Sequence, residues 1–355
     1  MKIKMKICMV VPEKEVKGGI ASVVNGYRET GFPDHIATTY IESYCDGGKI
    51  KKLKKAIIAY LKFVKILFFS MPDMIHIHSS FGPSFYRKVP FILLSYLCKV
   101  KIINHIHGAE FEVFYTDSSA WKKKLVKTMY NLCDVIIVLS EEWKYSIGTI
   151  VDEEKIRIVE NYCIIPQEEH FEKKKQILFL GEISERKGCY DLAQIYQKIV
   201  EAVGEIPFII AGDGEAEEVE ATFKGLQLES KVMFTGWVRG EKKKKLLEES
   251  QFFLFPTYNE GMPMVILEAM AYNMAIVTTN VGGIPKLIEN GKNGFLCEPG
   301  DIHRLAEKMI LLICNEELRE KYVNNSREKV VANFSLKQHL SKIIAVYEEV
   351  YHSRG

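Results

Sequence analysis

Glu260 and Glu268 stand eight residues apart in the stretch 252–285, FFLFPTYNEGMPMVILEAMAYNMAIVTTNVGGIP. Carboxylates accept charge-assisted hydrogen bonds from hydroxyls, so such a pair can hold a ribose and a hexose. Spacing alone means little in a chain with 46 acids; the frame around the pair carries more. An apolar run ends in Pro-Thr and a polar turn, and a helical pattern begins at Pro263, a residue tolerated in a helix's first turn. Gly261 lets the backbone approach a ligand closely. The N–H groups of the turn spanning Met262, Pro263, Met264 and Val265, with the helix dipole behind them, form a phosphate site.

Other polar groups also follow apolar runs: Gly18-Gly19-Ile20, His107-Gly108, Arg186-Lys187 within GEISERKG, and Gly236-Trp237-Val238-Arg239. His76, His78 and His105 alternate within strand-like runs without accompanying acids, which favours a structural role over a metal cluster. Asp213 has Ala211 and Glu215 where a metal-binding D-x-D would place its partner, so no metal site is expected.

The positioning elements follow from the hydrophobic pattern. Apolar runs at 7–11, 36–41, 74–77, 102–106 and 135–139 alternate with helical patterns, and a second series follows at 177–180, 208–211, 232–234, 252–255, 276–278 and 295–297. Most are uniformly apolar, as strands buried on both faces of a parallel sheet are. Strand–helix alternation in two halves predicts an α/β fold of two Rossmann-like, doubly wound domains. The expected limits are 1–168, 169–334 and a C-terminal helix over 335–355 packing back on the first domain. Open α/β sheets bind ligands outside the carboxyl ends of their strands, so two such domains are expected to face each other across a ligand cleft.

Composition agrees. The chain has 355 residues, 47% of them apolar, which suits two cores. Its 48 basic and 46 acidic residues argue against a nucleic-acid binder driven by overall charge. Eight scattered cysteines include no C-x-x-C pair, which suits a reducing, cytoplasmic setting. The start, 1–11, is too short in apolar residues for a signal peptide and reads as a first strand. The longest hydrophobic stretch, 56–71, is broken by Lys62 and Lys65 and falls short of a membrane span.

The pattern E-G-x-P-x-x-x-x-E after an apolar strand, followed by NVGGIP at 280–285, resembles the E-x7-E motif of the family 4 glycosyltransferases, retaining enzymes of the GT-B fold. The resemblance extends over nearly the whole chain. It implies that Glu260 contacts the transferred sugar, Glu268 the ribose, and the 262–265 turn the donor phosphates. It places Gly18 and Gly19 in the loop facing that sugar, His107 near it, and the Trp237–Val238 turn by the nucleotide base, where Trp237 reads equally well as packing. It gives Lys187 the task of neutralising the leaving diphosphate. Where the family has an Arg this chain has Glu182, and Arg186 is expected to supply the second charge from a shifted position. The family's front-face mechanism hands the acceptor proton to the leaving phosphate, so no general base is demanded. The implied enzyme is a metal-independent hexosyltransferase that uses a UDP- or GDP-sugar as co-substrate and no other cofactor. The alternatives are a nucleotide-sugar 2-epimerase of the same architecture and a non-catalytic sugar-nucleotide-binding protein.

One basic segment remains. Residues 49–145 carry 16 Lys/Arg against 7 Asp/Glu. Within 49–70, Ile50, Leu53, Ile57, Leu61, Val64 and Phe68 recur at helical spacing among lysines, and 121–127 adds a Trp and more lysines. Such a helix can lie on an anionic membrane, or its stripe can cover the protein's own sheet with the lysines solvated. The expected partners are therefore the donor, a glycan or lipid-linked acceptor, and an anionic membrane met peripherally through 49–70 and 121–127 at the cytoplasmic face. The expected pathway is that of a cell-surface polysaccharide, lipopolysaccharide or glycolipid.

Overall fold

The computed structural model describes residues 5–108 and 111–353, so the first four residues of the expected first strand and the last two of the expected final helix lie outside the described residues. The chain forms two compact units, Met1–Asn161 with Lys337–Gly355, and Tyr162–Leu336.

The first unit runs β1 (Met5–Pro12), α1 (Gly19–Thr30), β2 (Ile36–Tyr44), α2 (Lys49–Phe69), β3 (Met74–Ser79), α3 (Pro83–Leu97), β4 (Lys101–Ile106), α4 (Phe111–Thr116), α5 (Ala120–Asn131), β5 (Val135–Val138), α6 (Glu141–Gly148) and β6 (Ile156–Ile158). The second runs β7 (Lys174–Leu180), α7 (Leu192–Val203), β8 (Phe208–Ala211), α8 (Ala216–Gly225), β9 (Val232–Phe234), α9 (Glu241–Glu249), β10 (Ser250–Phe255), α10 (Met264–Ala271), β11 (Ala275–Thr279), α11 (Ile284–Leu287), β12 (Phe295–Cys297), α12 (Ile302–Cys314) and α13 (Glu316–Asn333). A last helix, α14 (Leu336–His352), belongs almost wholly to the first unit.

Each unit has one parallel six-stranded sheet, in the orders β2-β1-β3-β4-β5-β6 and β12-β11-β10-β7-β8-β9. The expected doubly wound α/β fold is therefore present twice. Every expected strand appears; β6, only three residues long and interrupted by Arg157, was not foreseen. In each sheet the connections reverse direction once, between β1 and β3 and between β7 and β10. A crevice opens at the carboxyl end of the sheet at such a switch point, because the flanking loops leave in opposite directions.

The strands of the first sheet sort by parity. Ile75 and Ile77 join Cys8, Val10, Ile102 and Ile136 in a core that also takes Phe63 from α2, Phe85 and Phe91 from α3, and Val126 from α5. His76, His78 and His105 project from the other face as a buried column. His78 pairs with His105 in strand register. Their ring centroids lie 4.3–5.5 Å apart across the three pairs, stacked for His76 with His105 and tilted for the other two. One nitrogen from each of these three rings lies within 4.8 Å of the others. The His76 and His105 rings are nearly parallel, at 4°. The column extends to His107, whose Nε2 shares a 2.9 Å hydrogen bond with His78 Nδ1. It docks α14: His76 Nδ1 bonds Tyr347 Oη at 2.6 Å, and His339 Nδ1 donates to the Glu160 carbonyl at 2.6 Å while its Nε2 meets Tyr27 Oη.

The apolar stripe expected on α2 proves to be two stripes. Ala56, Ala59, Phe63 and Leu67 are buried. Ile50, Leu53, Leu61 and Phe68 face outward, with exposures of 63–85%. The sheet takes only the narrow stripe in which two alanines are followed by Phe63 and Leu67.

The histidine column makes acid stability a test of this packing. Burial holds His76 and His107 down to about 3 and His339 to about 4, and pushes His78 and His105 well below the usual range. The unfolded chain protonates these rings below ~6.5 while the folded chain does not, so stability present at neutral pH is lost as pH falls below ~6.5, by up to ~1.4 kcal/mol per pH unit for each ring. Urea midpoints measured from pH 7.5 down to pH 4.5 should therefore fall steeply; a flat profile would contradict the buried neutral column.

Candidate functional site

In the second unit the loops that leave β7 and β10 meet at the switch point. The β7 loop, 181–188, contains a short 3₁₀ turn, Glu185–Lys187. The β10 loop, 256–263, lies against it. Tyr258 N donates to the Arg186 carbonyl at 2.9 Å, Thr257 Oγ1 donates to the same carbonyl at 3.1 Å, and Arg186 Nη1 donates to the Asn259 carbonyl at 3.0 Å. Gly188 has φ +70°, and a Cβ there would lie 2.0 Å from the Pro256 carbonyl oxygen, so only glycine lets the loops close this far.

This closure brings Lys187 and Glu260 into a direct ion pair. The two side chains are 13% and 10% exposed. Arg186 Nη1 stands 4.0 Å from the same Glu260 oxygen and its Nη2 is 3.2 Å from Glu182. Arg186 and Lys187 thus lie side by side, while Glu182 points outward and is 59% exposed. Burial and the like charge of Arg186 push the Lys187 ammonium down to about 7, against the opposing influence of Glu182 and Cys189.

The β11 loop underpins the carboxylate. Gly283 N donates to the Gly261 carbonyl at 2.6 Å, and Thr279 Oγ1 donates to the Thr257 carbonyl at 2.5 Å. Gly282 has φ +51°, and a Cβ on it would fall 1.7 Å from the Glu260 carbonyl oxygen. The GG pair of the sequence is thus the floor on which the 260–261 backbone rests.

Pro263 occupies the cap position of α10, one place before the first turn expected to hold it, with extended backbone and no side-chain cap. The N–H groups of Met264 and Val265 open the helix behind it. Gly261, Met262 and Pro263 are buried; Met264 and Val265 are half-buried. Glu268 is not the solvated helix residue its spacing alone would allow. It is 18% exposed, one oxygen accepts from Lys243 Nζ at 2.6 Å, and the other is buried without a protein partner among the described residues. Lys243 escaped the sequence reading because the run Lys242 to Lys245 reads as a solvated helix face.

Trp237 and Val238 follow β9, the edge strand, two places from β7. Trp237 is 37% exposed and Val238 is buried. Beside the β7–β10 contact lies an open cavity of about 950 Å³ lined by Arg186, Tyr258 and the acids Glu185, Asp191, Glu215 and Glu218.

In the first unit the switch point between β1 and β3 carries a cavity of about 390 Å³. Gly18, Gly19 and His78 line it, with Tyr44, Arg87 and Lys88. His107 stands behind this cavity, hydrogen-bonded to His78, which lines it. Arg87 and Lys88 were missed as site residues because an isolated Arg-Lys in a helical pattern looks solvated.

Two family models match the chain: "Glycosyltransferase Family 4" over residues 27–162 and "Glycosyl transferases group 1" over residues 163–329. Among curated relatives, an N-acetyl-alpha-D-glucosaminyl L-malate synthase of Bacillus anthracis is 28% identical over 302 residues, covering 79% of this chain and 74% of that protein. Among solved structures, Anabaena HepE in complex with UDP and glucose matches with a TM-score of 0.76 at 15% identity, covering 97% of this chain and all of that one. A mutant of Staphylococcus aureus TarM, in complex with fondaparinux, alpha-GlcNAc-glycerol and UDP, matches with a TM-score of 0.68 at 21% identity; it covers 82% of this chain, which spans 59% of TarM. These likenesses show the two-domain GT-B fold.

Removing one member of a buried ion pair strands the other charge. Lys187→Ala should therefore lower the unfolding free energy by ~3 kcal/mol, whereas Glu182→Ala, at an exposed pair, should cost less than ~1 kcal/mol. Chemical denaturation of both variants checks this, and equal effects would contradict the pairing.

Proposed function

Since the chain belongs to the family 4, group 1 glycosyltransferases, we propose that it moves a sugar from a nucleoside diphosphate sugar to a hydroxyl acceptor with retention of anomeric configuration. The observation that carries the reading is the Arg186–Lys187 pair set against Glu260 at the carboxyl edge of the second sheet. A departing nucleoside diphosphate gains negative charge as the C1–O bond breaks, and fixed cations and amides aimed at it lower the barrier. In this reading Lys187 and Arg186 take the diphosphate, with the N–H groups of Met264 and Val265 at the start of α10. Glu260 orients the transferred sugar, Glu268 holds the ribose hydroxyls, and the Trp237–Val238 turn lies at the base. UDP- and GDP-sugars are the proposed donors.

The bond pair of C1–O goes to the β-phosphate oxygen. The acceptor oxygen forms its bond to C1 on the same face, and its proton passes to the departing phosphate. This course asks for neither a metal nor a protein base. The first unit takes the acceptor, with Gly18, Gly19 and His107 at its edge. Loss of transfer in both Glu260→Ala and Lys187→Ala, with folded protein and ~100-fold or lower rates, is expected in a nucleoside diphosphate release assay run with chelator. Near-normal rates in both would sink the assignment.

We further propose that the acceptor is met at an anionic membrane surface on the cytoplasmic side, in assembly of a cell-surface polysaccharide, lipopolysaccharide or glycolipid. Support comes from α2, where Ile50, Leu61, Phe68 and Phe69 are 67–85% exposed among lysines, and from Trp121, 63% exposed beside Lys122 to Lys124. Among the described residues no helix is long and apolar enough to cross a membrane. Apolar side chains entering the headgroup region and lysines contributing ~1 kcal/mol each at the surface suffice for peripheral binding. Sedimentation with phosphatidylglycerol vesicles should pull the protein down, and phosphatidylcholine vesicles should not. The double variant Phe68→Ser, Phe69→Ser should release it, whereas failure of the wild type to bind anionic vesicles would contradict the surface.

A further inference from the structure

The cavity of the first unit has a one-sided charge. Among the described residues, Lys17, Arg87 and Lys88 line it and no acid does. Glu13 and Glu42 each hold Lys55 at 2.9 Å, and Asp46 accepts the Lys17 backbone N–H at 3.1 Å.

Lys88 is 3% exposed. Its ammonium donates to Ser43 Oγ at 2.6 Å and to the Val10 carbonyl at 3.4 Å, both uncharged acceptors. Burial and the like charge of Arg87 push its pKa well down. A buried cation without a counter-charge is costly, and an anion in the cavity would supply what is missing. Arg87 is preorganised: its guanidinium lies over the Tyr44 ring at 4.6 Å, and its Nε is buried without a protein partner among the described residues. The N-terminal turns of α1 and α3 open on the same cavity through Gly19, Ile20, Pro83 and Ser84.

We propose that this cavity binds an anionic group of the acceptor, a phosphate or a carboxylate, through Arg87, Lys88 and Lys17. The acceptor is then an acidic molecule rather than a neutral sugar or polyol. The inference rests on the reading that the first unit takes the acceptor. A guanidinium held by a ring face can give two parallel hydrogen bonds to one anionic group, which a neutral hydroxyl cannot match.

The test is calorimetric titration of the intact protein. Glycerol phosphate is paired with glycerol as its neutral control, and succinate with butanediol. One anion should bind saturably and its neutral counterpart should not; the anion that binds tells phosphate from carboxylate. Arg87→Gln should weaken that binding by ~10-fold or more while leaving UDP and GDP binding unchanged, and Arg87→Lys should recover part of it. Lys17→Gln, at a surface position, should weaken it in the same direction. Failure of both anions to bind, or equal binding by the wild type and both Gln variants, overturns the proposal. So does a parallel loss of nucleotide binding in Arg87→Gln, which would assign the cavity to the donor. Anion binding by a wild type that binds no nucleotide would strike the transferase reading and leave the anion site standing.

Discussion

The buried pair of Lys187 and Glu260 joins loops 73 residues apart in sequence. Taking two charges out of water costs several kcal/mol each, and their attraction in a low-dielectric setting roughly offsets it. Such a pair is a weak source of stability, and its value lies in geometry. It fixes the end of β7 against the end of β10, and much else answers to it. Gly188 lets the two loops close, and Gly282 and Gly283 bring the β11 loop beneath the carboxylate. The hydrogen bonds of Thr257 and Tyr258 to the Arg186 carbonyl then set the adjacent guanidinium beside the ammonium.

The same topological constraint acts in both units. A parallel sheet whose connections reverse once leaves a gap where two loops part, and both units place their charged groups there. The outcomes differ because the neighbours differ. In the second unit two lysines of the site each face a carboxylate, Lys187 with Glu260 and Lys243 with Glu268. In the first, Lys88 faces, among the described residues, a hydroxyl and a carbonyl. A site whose own acid balances its cation can release that cation to a ligand that competes for it, whereas a site without an acid awaits its counter-charge.

Legibility in the sequence followed the range of the forces involved. Strand positions were readable because strands buried on both faces are mostly apolar, and the glycine turn was readable because Gly282 and Gly283 leave no room for a side chain. The partners of the charged groups were not. Lys243 sits in a lysine-rich helix where nothing local tells which lysine turns inward, and Lys88 looks like any surface lysine. The apolar stripe of α2 misled for a related reason. Periodicity shows that a helix has an apolar face, yet Ala56 and Ala59, being small, identify the face that the sheet requires, while the larger Leu61 and Phe68 remain outside.

The central claim is that Glu260 holds Lys187 until the diphosphate of the donor takes it over. The most direct measurement is the affinity of UDP and GDP for the wild type and for Glu260→Gln, read by calorimetry. Replacing the carboxylate with an amide frees the ammonium and removes a like charge facing the phosphates. At an effective dielectric near ~20 that repulsion is large enough for the preferred nucleotide to bind roughly tenfold tighter, while sugar transfer is lost. Weaker nucleotide binding by Glu260→Gln would contradict the account, because Glu260 would then be supporting the diphosphate site instead of competing with it.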